Sequence, residues 1–118
     1  MANGGVIAHA GSQAVALAAK HHSVPVVVCA GLYKLSPLYP SDLDRLIKLE
    51  NPASILPFDA EITHSGDVQL YNPVFDYIAP EMVSLFITNT GAHSPSYVYR
   101  LITEYYALED ESLVFNSK

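Results

Sequence analysis

This chain is poor in cysteine, in cations and in long apolar runs, and each shortage removes a class of protein. Cys29 stands alone, so no internal disulfide is available, and a lone thiol fits a reducing compartment. Six Lys and Arg face 12 Asp and Glu, for a formal charge of −6. A nucleic-acid grip needs clustered cations that release counterions, and an anionic membrane surface needs the same. No run reaches the roughly 18 to 20 apolar residues of a bilayer span. The first residues lack the basic stretch and apolar core of a signal peptide. The expectation is a cytoplasmic protein with no direct nucleic-acid or membrane partner. The glycines do not form GxGxxG, and no P-loop lysine follows them.

What is present reads as one globular domain. The chain has 118 residues, half of them hydrophobic and 15% charged. Its organising stretch is Ala2 to Leu35, ANGGVIAHAGSQAVALAAKHHSVPVVVCAGLYKL. A glycine-rich turn leads to an alanine-rich helix, and the helix leads to an apolar strand. That order is a β-turn-α-β unit with the first strand absent. Ser12 is a candidate cap, and the helix should run to about His22. Ala14, Val15, Ala18, Ala19 and His22 share one face at helical spacing. Val26 to Cys29 is β-branched and uncharged, as in a strand covered on both faces.

The remainder should pack around that strand. Pro37 and Pro40 keep Gly31 to Pro40 irregular, while Leu32, Tyr33, Leu35, Leu38 and Tyr39 anchor it. Ser41 to Leu49 suits a short helix, Ile55 to Phe58 a short extended piece, and Val68 to Tyr71 a strand. Ala79-Pro80-Glu81 suits a first helical turn. Ser84 to Thr88 reads as a buried strand that Gly91 ends. A helix follows Ser94-Pro95 to about Ala107, with Tyr97, Val98, Leu101, Ile102 and Tyr105 inward. Helices alternating with apolar strands imply an α/β layered domain with a mainly parallel sheet. Two or three strands are few for a sheet, so either preceding sequence or partner chains must complete it.

Chemistry-bearing groups are sparse. Asn3, Gly4 and Gly5 with Gly11 and Ser12 could form an anion-binding turn at a helix N-terminus, although a plain strand-to-helix turn accounts for them better. His9, His21, His22 and Cys29 do not suit a metal, because adjacent histidines diverge by about 100° on a helix. Asp76 and Glu81 could divide acid and base roles, but an aspartate accepting backbone hydrogen bonds at a helix start is the simpler reading. Tyr99 and Tyr106 point away from the last helix's inner stripe, as aromatics at a protein interface do. No catalytic, cofactor or metal site emerges.

Two longer segments carry a family resemblance. LAAKHHSVPVVVCAGLYKLSPLYP and YNPVFDYIAPEMVSLFITNTGAHSPSYVYRL resemble the beta-subunit family of eukaryotic translation initiation factor 2B. The combination of AKHH, KLSP and NPVFDY is far more specific than any one motif. The resemblance implies a Rossmann-like domain, with residues 1–118 as its C-terminal portion and 108–118 as a frayed tail. It also implies a regulatory, non-enzymatic subunit of the guanine-nucleotide exchange factor for initiation factor 2. Its partners would be the other subunits, a delta-type subunit first, and initiation factor 2 itself. The wider superfamily includes sugar-phosphate isomerases with a segment similar to A-N-G-D-V-x-N-K-x-G-T. Here Gly5, Ala8 and His9 stand at its aspartate, asparagine and lysine. That substitution weakens the alternative of an isomerase-like or phosphate-binding domain.

Overall fold

The computed structural model describes residues 1–40, 48–57 and 68–106. Five strands and two helices follow in the order β1 (Val6–His9), α1 (Ser12–His21), β2 (Val27–Cys29), β3 (Phe75–Ile78), β4 (Leu85–Thr88), β5 (Gly91–His93) and α2 (Val98–Tyr105). β1 pairs antiparallel with β3, joining Val6 to Ile78 and His9 to Phe75. A second sheet has the order β2-β4-β5. β2 and β4 run parallel, with Val28 opposite Phe86, and β4 and β5 run antiparallel.

The α/β layered class therefore holds, with two corrections. A strand that sequence reading did not place precedes α1: Val6 and Ile7 are β-branched, and Phe75–Ile78 supplies their antiparallel ladder in a sheet apart from β2, so β1 and β2 are not the parallel pair of a β-turn-α-β unit. The parallel pairing expected of the sheet is confined to β2–β4, and the other two ladders are antiparallel. β5 also went unread, because Gly91 looks like a terminator. It opens a strand instead, pairing with Thr88 across the two-residue turn Asn89-Thr90. Its φ of 125° is one that glycine reaches at little cost.

α1 ends one residue earlier than expected and closes tightly. The Ser23 N–H donates to the Lys20 carbonyl, and the Val24 N–H donates to the Ala19 carbonyl at 2.8 Å. This crossed pair needs a left-handed residue, and Ser23 takes that place with φ 57°. The face turned to the core carries Ala16, with Ser12 and Ala19 half-buried. Ala14, Val15, Ala18 and His22 are exposed, Val15 by 70%. An alanine-rich helix has no strong apolar stripe, so its rotation is set by what it docks on.

The core consists of Ala2, Ala16, Ile78, Val83, Phe86, Val98, Leu101 and Ile102. α2 buries Val98, Leu101 and Ile102, three of its expected inner residues. Tyr97 is half-buried, but Tyr105 is 59% exposed, because the helix stops there and Tyr106 turns into extended backbone. β2 departs most from expectation. Val27 is 46% exposed and Cys29 is also exposed, so only the Val26 and Val28 side is covered. Val68–Tyr71 forms no strand, the extended segment lying later in the chain at Phe75–Ile78. Ile55 closes a 3-10 turn over Pro52–Ser54 rather than starting an extended piece. Ala79-Pro80-Glu81 does start a turn, the 3-10 segment Pro80–Met82. The helix expected from Ser41 falls largely outside the described residues, as do Phe58 and the tail.

The segment after β2 is held as a strap. It carries a 3-10 turn, Leu32–Lys34, whose Leu32 N–H donates to Asn89 Oδ1 at 3.0 Å. The Leu38 carbonyl accepts from the Ala2 N–H. The Leu35 carbonyl accepts from the Tyr106 hydroxyl at 2.7 Å.

The left-handed Ser23 gives a direct check. Ser23→Gly should raise stability by about 0.5–1 kcal/mol in chemical denaturation, since glycine relieves the steric cost of that conformation. An unchanged or lower midpoint would show that the helix end is not strained.

Candidate functional site: the head of α1 and the turn before β1

The five residues expected to form an anion-binding turn divide between two places. Asn3, Gly4 and Gly5 precede β1, and Gly11 and Ser12 follow it. Four strand residues separate the groups by about 13 Å at strand rise. One small anion cannot bridge that distance.

Each group is already satisfied. At the first, Asn3 Oδ1 accepts from the Gly5 N–H at 3.0 Å, and Asn3 Nδ2 donates to the Tyr77 hydroxyl at 2.6 Å. The Gly4 N–H closes the turn onto the Met1 carbonyl at 2.9 Å. Gly4 has φ 83°, and a side chain there would collide with the Pro95 carbonyl. At the second group, Ser12 is the first residue of α1 and caps nothing, because Gly11 holds the cap position. Asp76 does the work instead. Its Oδ2 accepts from the Gly11 N–H at 2.7 Å and from the Gln13 N–H at 3.1 Å. A carboxylate at a helix N-terminus satisfies free amides and meets the positive end of the dipole. Asp76 is therefore a helix-start aspartate, as read, but the helix it serves lies 65 residues earlier in the chain. A ligand phosphate at the head of α1 would have to displace it.

The other candidates lie apart. His9 is exposed, and its ring stacks on Phe75 with centroids 5.8 Å apart. Ala8 beside it offers no polar atom. The rings of His21 and His22 stand edge to face at 5.0 Å. Glu81 is exposed on the Pro80–Met82 turn. Among the described residues no three His, Cys, Asp or Glu side chains gather in a metal-binding group. No described helix is long and apolar enough to cross a membrane.

Of the two tyrosines proposed for an interface, Tyr106 is half-buried and bonded to the strap, an internal role. Tyr99 is 47% exposed beside the half-exposed Tyr39, with ring centroids 6.4 Å apart. Sequence reading missed a cavity of about 200 Å³ lined by Met1, Val6, Val28, Leu35, Leu38 and Phe86 among others. Lys34, Ser36 and Thr88 are its polar side chains. No periodicity marks it, because it forms between β1 and β2, which belong to different sheets.

Three substitutions follow from this geometry. Asp76→Ala should cost about 1–2 kcal/mol and speed amide exchange in the first turn of α1, read by hydrogen exchange. Slow exchange retained there would remove Asp76 from its capping role. Gly11 also has a left-handed φ, 94°, but faces open space. Gly11→Ala should therefore cost about 1–2 kcal/mol of backbone strain, and Gly4→Ala about 3 kcal/mol or more, since strain and collision add. Equal denaturation midpoints for the two variants would contradict the packing described.

Comparison with known proteins agrees with the architecture. The family model described as "Initiation factor 2 subunit family" matches residues 1–95. The chain is 56% identical to translation initiation factor eIF2B subunit beta of Dictyostelium discoideum, covering 94% of this chain and 29% of that protein. It is 46% identical to the same subunit of Schizosaccharomyces pombe, covering 96% and 28%. Ribose 1,5-bisphosphate isomerase of Archaeoglobus fulgidus is more distant, at 35% over 99% of this chain and 37% of that enzyme. Among solved structures, eIF2B beta from Chaetomium thermophilum superposes with a TM-score of 0.64 and 27% identity, over 92% of this chain and 26% of that one. A chain of the eIF2B-beta2-delta2 tetramer from the same organism gives a TM-score of 0.61 at 25% identity, over 89% and 27%. The chain thus spans under a third of the length of its curated beta-subunit relatives. With the match over residues 1–95 and the shared fold, it belongs to the initiation factor 2 subunit family.

Proposed function

We propose that this chain is part of a regulatory, non-catalytic subunit of the guanine-nucleotide exchange factor for translation initiation factor 2. It works in the cytoplasm by protein contacts, with a delta-type subunit as first partner and initiation factor 2 as the protein whose state it helps to sense. The observation that carries this reading is the 56% identity to a beta subunit, against 35% to an isomerase. The site chemistry supports it. An imidazole stacked on Phe75 replaces the isomerase-type lysine, and Asp76 fills the helix head where a phosphate would bind. The tetramer of beta and delta chains is a precedent for the partner. Tyr99 and Tyr39 form an exposed aromatic pair of the kind that anchors protein interfaces.

A second reading, a sugar-phosphate isomerase or small phosphate-binding domain, draws on the isomerase relatives. It requires a phosphate to bind and stabilise the folded state.

Two measurements separate these readings. Full-length protein should capture a delta-type subunit on co-purification, and Tyr99→Arg should weaken that capture roughly 10- to 30-fold as loss of an aromatic anchor. Failure to capture would count against the subunit reading. Millimolar ribose 1,5-bisphosphate or inorganic phosphate should leave the melting temperature unchanged. A rise that Asp76→Ala enlarges would favour the phosphate-binding reading.

A further inference from the structure

Asn3-Gly4 is the one Asn-Gly step in the sequence. That pairing has a chemistry of its own. The backbone nitrogen of the following residue can attack the side-chain amide carbon of asparagine, and glycine leaves the approach unhindered. The other four asparagines are worse placed. Asn51 and Asn72 precede prolines, which have no N–H to lose. Asn89 and Asn116 precede Thr90 and Ser117, whose side chains crowd the attack.

The fold engages every group that this reaction uses. The Gly4 N–H, the nucleophile, donates to the Met1 carbonyl at 2.9 Å. Asn3 Nδ2, the leaving group, donates to the Tyr77 hydroxyl at 2.6 Å. Asn3 Oδ1 accepts from the Gly5 N–H at 3.0 Å. The first two bonds oppose the attack. The third does not, because it draws negative charge onto the oxygen where charge collects. Gly4 and Gly5 are buried, which keeps hydroxide from the Gly4 N–H. The Tyr77 ring lies against Gly5, where it would meet any Cβ. Tyr77 is 74 residues from Asn3, so its hold on the amide is tertiary and is lost on unfolding.

We propose that Asn3 is a spontaneous deamidation site that the folded protein keeps closed, with the Tyr77 hydroxyl as its latch. When the turn opens, a bond forms between the Gly4 nitrogen and Asn3 Cγ, and the Cγ–Nδ2 bond breaks. The Gly4 proton leaves with Nδ2 as ammonia. Water then opens the cyclic imide at either carbonyl, giving aspartate or isoaspartate, and no other reactant is needed. The two products differ in fit. Aspartate keeps an oxygen for the Gly5 N–H and accepts from the Tyr77 hydroxyl in place of the lost donor. Isoaspartate adds a carbon to the main chain just where Ala2 is 2% exposed and Gly4 lies against the Pro95 carbonyl. The closed turn has no room for it, so this product holds the turn open.

Peptide mass spectrometry on full-length protein aged at mildly alkaline pH tests this, with isoaspartate read by enzymatic methyl transfer. Asn3 should keep its amide in the folded protein and be the first asparagine converted in denaturant. Under folding conditions Tyr77→Phe should deamidate at Asn3 about fivefold faster than the unsubstituted protein, through loss of one hydrogen bond. Ser84→Ala is the control. It deletes the hydroxyl that accepts from the Val26 N–H and should leave the Asn3 rate unchanged. Equal rates at Asn3 in the folded and denatured protein would overturn the proposal. So would another asparagine converting first in denaturant, or an unchanged rate in Tyr77→Phe. Equal acceleration in both variants would assign control to global unfolding instead of the latch, and would overturn it as well.

Discussion

Backbone pairing in the β2-β4-β5 sheet is the constraint on which the rest of the structure depends. Peptide groups away from water must find partners, and among the described residues β4 is the strand that pairs with β2. The strap after β2 is tied to the turn that ends β4, where the Leu32 N–H donates to Asn89 Oδ1. Among the described residues this sheet is covered on one side of β2, and Val27 and Ile87 are exposed.

Asp76 ties this sheet system to the helix. It sits on β3, opposite Ala8, and its carboxylate closes the head of α1. The contact fixes where the helix starts, and with the docking of Ala16 it fixes which face turns inward. It also places a negative charge where a phosphate ligand would otherwise be attracted. The helix head is thus occupied by the protein's own carboxylate.

Residues whose role depends on near neighbours could be read from the sequence. The alanine run from Ser12, the β-branched strand near Val26, the Ser84–Thr88 strand and the Val98-Leu101-Ile102 stripe all carry a period or a composition of their own. The family was legible for the same reason, since KLSP and NPVFDY are contiguous. Ser12 looked like the cap of α1, but capping belongs to Asp76, which no local pattern places there. Tyr105 looked internal and Tyr106 external, and one change of backbone direction at the helix end exchanged them.

By itself, then, the sequence determined α1 and α2, the strands β2 and β4, the family and the shortage of cations, because these rest on neighbouring residues and on composition. Only the tertiary structure decided which strands pair and in which direction. It also decided that Asn3–Gly5 and Gly11–Ser12 lie at opposite ends of β1 instead of forming one turn. The physical reason is range: propensity and periodicity act within a few residues, whereas the β1–β3 and β2–β4 ladder partners and the Asp76 cap are groups 58 to 72 positions away.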